Sequence, residues 1–254
     1  MKCLISCEHA SNRVPPRFAR VFEGKEAVLS SHRAYDPGAA GLARRLGGRL
    51  QSPVYLGSIS RLLIDLNRSP SNRKSLFSSY SRKLGRPDRE LLLRKYYHPY
   101  RTSVESAVAG MIAAGKPVLH LSIHSFSPVK NDRVRRADIG LLYDSARPYE
   151  KEVCAFLAEF LQEKAGSLRV RKNYPYLGKT DGFTAFLRKK YSAKLYAGIE
   201  IEMNQAYLLA ADYKKGRTED ILTTGIGSLL KVQDFCQVMH IILKKEDRGL
   251  ILVP

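Results

Sequence analysis

Two histidines, His9 and His124, each close a short β-prone apolar run, and Asp65, Glu200 and Glu202 occupy the same kind of place in other runs. Charged groups at the ends of buried strands require a partner or a metal. Neutral imidazoles with a carboxylate oxygen are the ligand set that zinc takes in hydrolytic sites, with one position left for water. His9 and His124 are therefore the expected metal-ligating imidazoles. The oxygen ligand is expected from Asp36 or Glu8. Asp36 precedes Pro37-Gly38-Ala39 and could equally cap a helix. Glu8 adjoins His9, and in a continuing strand their side chains would face opposite ways. Asp36 is preferred.

In Ile199-Glu200-Ile201-Glu202, alternation puts both glutamates on one strand face. A hydrolytic water needs a carboxylate within hydrogen-bond reach as general base, and Glu202 lies nearest the strand end. Glu200 is expected to pair with an arginine or to orient a ligand. In Ser60 to Arg68, Arg61 and Asp65 are four apart and share a face if extended. Arg68 suits a bidentate bond to a substrate carboxylate, Asn67 adds a neutral donor, and Arg61 could stabilise an oxyanion. A plain Arg61–Asp65 ion pair with a turn at Asn67-Arg68 is the structural alternative. Cys7, two residues before His9, is a candidate thiol nucleophile with His9 or His124 as base.

These groups need strands to carry them. Residues 3–9, 53–57, 60–65, 117–123, 137–144, 168–170 and 195–203 read as strands. Helical periodicity covers Ala39 to Leu50, with Asp36 as cap and Pro37 at its start. It recurs in Asp88 to Gly115 with a break near Pro99, in Glu150 to Lys164, in Gly182 to Tyr191 and across Glu219 to Lys245. Ser11 to Pro16 is a loop, and Asn67 to Gly85 is a long polar excursion of the kind that carries function. Strands alternating with helices predict an α/β fold, and no composition break divides residues 1–254 into two domains. In such sheets ligands bind at the carboxyl ends of strands, where the candidate groups collect.

The chain has 254 residues, 44% hydrophobic and 26% charged, in the range of a globular protein. No run approaches the roughly 18 apolar residues that span a bilayer. The opening residues meet a charge too early for a secretory segment, so the expected location is the cytoplasm. Cys3, Cys7, Cys154 and Cys236 lack zinc-knuckle spacing and read as buried thiols, with Cys3 and Cys7 on one face. Lys plus Arg number 43 against 24 Asp plus Glu, a formal charge of +19. Such a surface attracts anionic substrates and, nonspecifically, nucleic acid. No recognisable nucleic-acid motif accompanies the charge.

Taken in order, several segments resemble the N-formylglutamate amidohydrolase family. They are Cys7 to Pro15, His32 to Ala39, Ser60 to Pro70, Ile123 to Phe126, Asp138 to Gly140, Asn173 to Tyr176, Asp181 to Thr184 and Glu202 to Tyr207. The resemblance implies a zinc-carboxypeptidase-like α/β fold, a single domain with a mixed, largely parallel sheet flanked by helices. In the wider group, which includes aspartoacylase-like enzymes, the matching positions imply zinc on His9 and His124, and the third ligand stays between Asp36 and Glu8. They imply Glu202 as general base, Arg61 at the oxyanion, and Asn67 and Arg68 on the substrate carboxylate. Gln205 joins the substrate-binding set. The wider group's His-x-x-Glu pair is absent, since position 12 is Asn12. The implied activity is hydrolysis of an N-acyl amide of an acidic amino acid. A thiol hydrolase based on Cys7 and a basic nucleic-acid-binding protein are the alternatives.

Overall fold

The computed structural model describes residues 1–209 and 213–231. Its strands, in chain order, are β1 (Lys2–Cys7), β2 (Val54–Leu56), β3 (Val118–Phe126), β4 (Val129–Lys130), β5 (Arg133–Val134), β6 (Ile139–Leu142), β7 (Val170–Lys172) and β8 (Tyr196–Asn204). Six of them form one sheet in the order β2-β1-β3-β8-β6-β7, while β4 and β5 make a separate hairpin. Neighbours from β2 to β8 are parallel, β6 runs antiparallel to β8, and β7 is parallel to β6. The sheet is mixed and largely parallel, as its βα alternation predicts.

Strand alternation sorts the side chains of β1, β3 and β8 into two layers. Cys3, Ile5 and Cys7, with Leu119, Leu121, Ile123, Ala197, Ile199, Ile201 and Met203, enter one apolar core. Helices Ala39–Leu50, Pro148–Lys164 and Tyr213–Lys231 pack on that side. Across the sheet, Leu4, Val118 and Tyr196 meet Val104 and Val108 of helix His98–Ala113 and Phe183 and Leu187 of helix Phe183–Lys190. Along this second face the residues grow more polar toward the strand ends: Ser6, His120 and Ser122, then His124, Glu200 and Glu202, all buried. Helices on both faces leave the carboxyl edge as the place where these polar groups can meet a ligand.

Several predicted elements change. The expected strand Ser60 to Asp65 is a turn in which the Ser60 hydroxyl accepts from Leu62 N–H and donates to the Ala34 carbonyl. Its Leu62, Leu63 and Ile64 fill a separate core with Phe18, Phe77 and Tyr97, so their burial does not depend on sheet pairing. Strand β1 stops at Cys7, leaving Glu8 and His9 in a turn, and β7 starts two residues later than expected. Asp36 does not cap the first long helix with its side chain. The helix begins at Ala39 after Gly38, whose φ of 82° favours glycine, and Asp36 is drawn instead to His9, His124 and Arg61. The helix runs without a gap from Arg86 to Ala113, and its irregularity is a π turn at Leu93–Tyr97 just before Pro99, whose missing N–H a regular α-helical ladder would need there. The last expected helix is seen as Tyr213–Lys231, and its predicted extension to Lys245, like Cys236, lies outside the described residues.

Candidate functional site

Parallel pairing of β3 with β8 sets His124 beside Glu202 and Ser122 beside Glu200. The turn after β1 carries His9 toward the same edge, and its ring centroid lies 5.1 Å from that of His124. Between the two rings sits Asp36, whose Oδ2 is 3.3 Å from His9 Nδ1 and 2.9 Å from His124 Nδ1. One donor atom from each of the three residues falls within 4.8 Å of the others, a buried group that could hold a metal ion. Glu8 is elsewhere: its Oε2 accepts from Ser122 Oγ at 2.6 Å and lies 3.3 Å from His124 Nε2, on the far side of the ring. Of the two candidate oxygens, only Asp36 shares the space between both imidazoles.

The outer nitrogens are also engaged. His9 Nε2 is 2.7 Å from Asp65 Oδ1, and His124 Nε2 is 2.9 Å from Ser122 Oγ. An imidazole that donates its Nε2–H outward presents the Nδ1 lone pair inward, as metal ligation requires. Burial opposes charge on both rings. The carboxylates outweigh it: Asp65 and Asp36 raise the affinity of His9 for a proton, and Asp36 with Glu8 raise that of His124 well above the ordinary value. A field that draws protons onto imidazoles also favours a cation between them. The donor chemistry and the field thus both fit a divalent metal.

Arg61 bridges Asp36 Oδ1 at 3.1 Å and Asp65 Oδ2 at 3.3 Å, so the ion pair with Asp65 offered as the structural alternative is present and extends to Asp36. Burial works against the charge of Asp36 and Asp65, but His9 and Arg61 hold both well below the usual carboxylate range, with His124 adding to the effect on Asp36. Glu202 is the contrast. Burial, partly relieved by His124 and reinforced by Asp36 and Glu200, pushes it up to about 7, and its buried Oε2 has no hydrogen-bond partner among the described residues. Among the described residues Glu200 forms no ion pair with an arginine, the first of its two expected roles; its Oε1 accepts from Thr184 Oγ1 at 2.7 Å, and it lines the cavity where a ligand would be oriented.

A cavity of about 270 Å³ joins these groups, lined by His9, Asp36, Arg61, His124 and Glu202 together with Asn67 and Arg68. The Asn67-Arg68 segment is braced from behind. Tyr97 OH donates to the Arg68 carbonyl at 2.6 Å, Arg101 donates to the Leu66 carbonyl at 3.1 Å, and Phe183 N–H donates to Asn67 Oδ1 at 2.6 Å. Gly182 lies close enough to Asn67 that a Cβ there would sit 3.4 Å from its Oδ1. Arg68 donates to the Asp181 carbonyl, and the Asp181 carboxylate accepts from Ser69 N–H and Asn72 Nδ2. Gln205 does not reach this cavity; it hydrogen-bonds Ser125 Oγ at 3.1 Å and lines a neighbouring one.

Cys7 does not join the site. It is fully buried in the apolar core, lines neither cavity, and burial with Asp36 and Glu8 nearby pushes its thiol far up, the opposite of an activated nucleophile. Asp65, which the sequence offers as a charged group at the end of an apolar run and as a partner of Arg61, also meets His9, 56 residues away, a contact that local spacing does not signal. Tyr97 and Arg101 carried no signal, because they donate to backbone carbonyls 29 and 35 residues away, and Asp181 stood out only as the start of a segment in the family resemblance.

The model of the N-formylglutamate amidohydrolase family matches residues 1–209. No curated protein matches the chain. The crystal structure of gene product Atu2144 from Agrobacterium tumefaciens superposes with a TM-score of 0.76 at 28% identity, covering 91% of this chain and 92% of that one. That of N-formylglutamate amidohydrolase from Ralstonia eutropha JMP134 gives a TM-score of 0.69 at 17% identity, over 92% and 94% of the two chains, a likeness of fold.

Proposed function

Because the chain belongs to the N-formylglutamate amidohydrolase family, we propose that it is a zinc-dependent amidohydrolase that cleaves the N-acyl amide of a small acidic amino acid. The observation that carries the mechanism is Glu202, a buried carboxylate with an unpartnered oxygen, on the strand beside His124 and lining the same cavity. His9, Asp36 and His124 would hold the zinc ion. When bound there, it supplies positive charge that polarises an acyl carbonyl and makes water more acidic.

The side chains then divide the work. Arg68 and the free amide donors of Asn67 hold the substrate carboxylate, and the backbone braces fix where that carboxylate sits. Arg61 turns its remaining N–H groups to the oxygen that gains charge as the carbonyl is attacked. Glu202 takes a proton from the attacking water and returns it to the departing nitrogen, a task suited to a carboxylate held near 7. Asp65 and Glu8 orient the two imidazoles from outside. This reading treats residues 1–254 as one domain of zinc-carboxypeptidase-like fold, acting in the cytoplasm. Among the described residues no helix is long and apolar enough to cross a membrane.

The test pairs metal analysis with hydrolysis of N-formyl-L-glutamate and its N-acetyl and N-succinyl counterparts. Wild type is expected to carry zinc and to release the free amino acid. Glu202→Gln should retain zinc and lose at least about a thousandfold in rate. Undiminished activity in that variant, or after thorough chelation, would sink the mechanism.

A further inference from the structure

The cavity above His9, Asp36 and His124 continues into a second of about 350 Å³, whose walls include His32, Ser127, Lys130, Arg135, Tyr176 and Gln205. The two meet at Asp36, Arg61, Ser125, Lys130 and Tyr176, which line both, whereas Asn67, Arg68 and Glu202 line only the first. Clamp and second chamber therefore extend in different directions from Asp36 and Arg61.

Their charges differ as well. The first chamber sets Arg61, Arg68 and the shared Lys130 against four carboxylates, Asp36, Asp181, Glu200 and Glu202. In the second, Asp36 is the one lining carboxylate against Arg61, Lys130 and Arg135, and it is already hydrogen-bonded to His9, His124 and Arg61. Arg135 is half-buried, with its guanidinium carbon 5.7 Å and 5.4 Å from the ring centroids of Phe126 and Tyr176. It reaches Ser127 O and Tyr176 OH at 3.4 Å each, and no ion pair includes it among the described residues. Lys130 stands over the same Tyr176 ring at 5.5 Å. It is placed there by the β4–β5 hairpin, whose turn residues Asn131 and Asp132 both have positive φ. A guanidinium set between aromatic faces, with only weak neutral partners, keeps strong donors for an anion.

We propose that the second chamber is the acyl-side subsite and that the substrate's acyl group is a small dicarboxylic acid, its free carboxylate held by Arg135 and Lys130. The proposal rests on the amidohydrolase reading and narrows it. A formyl group has no atoms to place beyond the carbonyl, and an acyl chain ending in a carboxylate has both the reach and the charge. In the reaction the amide C–N bond breaks, the water oxygen joins the acyl carbon and a proton passes to nitrogen. The products are the free amino acid and the dicarboxylate.

The discriminating pair is N-succinyl-L-glutamate and N-butyryl-L-glutamate, which share chain length and differ in the terminal carboxylate. Zinc-loaded wild type is expected to favour the succinyl compound in kcat/KM by at least about tenfold, and Arg135→Gln to reduce that ratio toward unity. A general structural defect would slow both compounds and leave the ratio intact. Lys130→Met provides a second variant at an exposed position, with a smaller fall in the ratio expected. Equal rates on the two compounds in wild type, or an unchanged ratio in both variants, overturns the subsite. Calorimetric titration of both compounds into metal-free protein separates this question from turnover. If no acylated amino acid is hydrolysed but the succinyl compound binds more tightly in an Arg135-dependent way, the catalytic reading fails and the subsite stands. Equal binding of the two compounds removes the subsite.

Discussion

His120 and His124 lie four residues apart on β3, on the same face and both buried, yet their surroundings drive them in opposite directions. His120 meets neutral partners, Ser6 Oγ and Tyr196 OH, each at 2.7 Å, and burial holds it down to about 4. Burial penalises a charged His124 too, but Asp36 and Glu8 flank that ring and raise it well above the ordinary value. Burial alone thus leaves an imidazole neutral and structural. Carboxylates on both sides turn one into a place for positive charge. The same strand builds core at His120 and candidate chemistry at His124, two repeats of the pleat further on.

The largest effect is expected from His124→Ala, which should abolish zinc retention and lower hydrolysis by at least about a thousandfold. His120→Gln should retain zinc, checked by elemental analysis of both purified variants. Loss of metal from His120→Gln would break the contrast. Next, Asp65→Asn removes the anionic partner of His9 and should weaken zinc affinity by about 10–100-fold, measured by competition with a chelator. An unchanged affinity would confine Asp65 to its ion pair with Arg61.

The two histidines also predict opposite pH dependence of stability in metal-free protein. Because the folded state holds His120 at about 4, below its ordinary 6.5, its contribution is present above 6.5 and is lost as pH falls from 6.5 toward 4. Denaturant unfolding across that window should show His120→Gln losing less stability than wild type, by up to about 3 kcal/mol. His124, raised when folded, contributes fully below 6.5 and loses that contribution as pH rises through its folded value. Glu202 has the same sign, with stability lost between 4.5 and about 7, so Glu202→Gln should stabilise the metal-free protein above pH 7. The smallest effect is expected at the clamp's brace. Tyr97→Phe deletes one hydrogen bond to the Arg68 carbonyl and should cost about 1 kcal/mol, appearing chiefly in KM.

The amino-acid sequence alone determined the parts that depend on local periodicity. Short apolar, β-prone runs at residues 3–9, 117–123 and 195–203 identified the strands that carry the site, and period-two alternation placed Glu200 and Glu202 on one face. It also put Cys3 and Cys7 together on the other face, where the structure finds them in the apolar core. Ser60 to Asp65 misled because its buried apolar residues look the same whether they line a sheet or fill the separate core under a turn. Asp36 was legible as a candidate but not as the group between the imidazoles. A carboxylate before Pro-Gly is locally as good a cap as a ligand, and the choice depends on contacts 27 and 88 residues away in the chain. The same holds for Arg135 and Lys130, which in the chain are ordinary members of a +19 surface. Only the folded hairpin sets them around Tyr176 beside the central cavity. Local spacing can specify which face a side chain takes. Which distant charges it meets there, and hence its chemistry, is set when the strands pair.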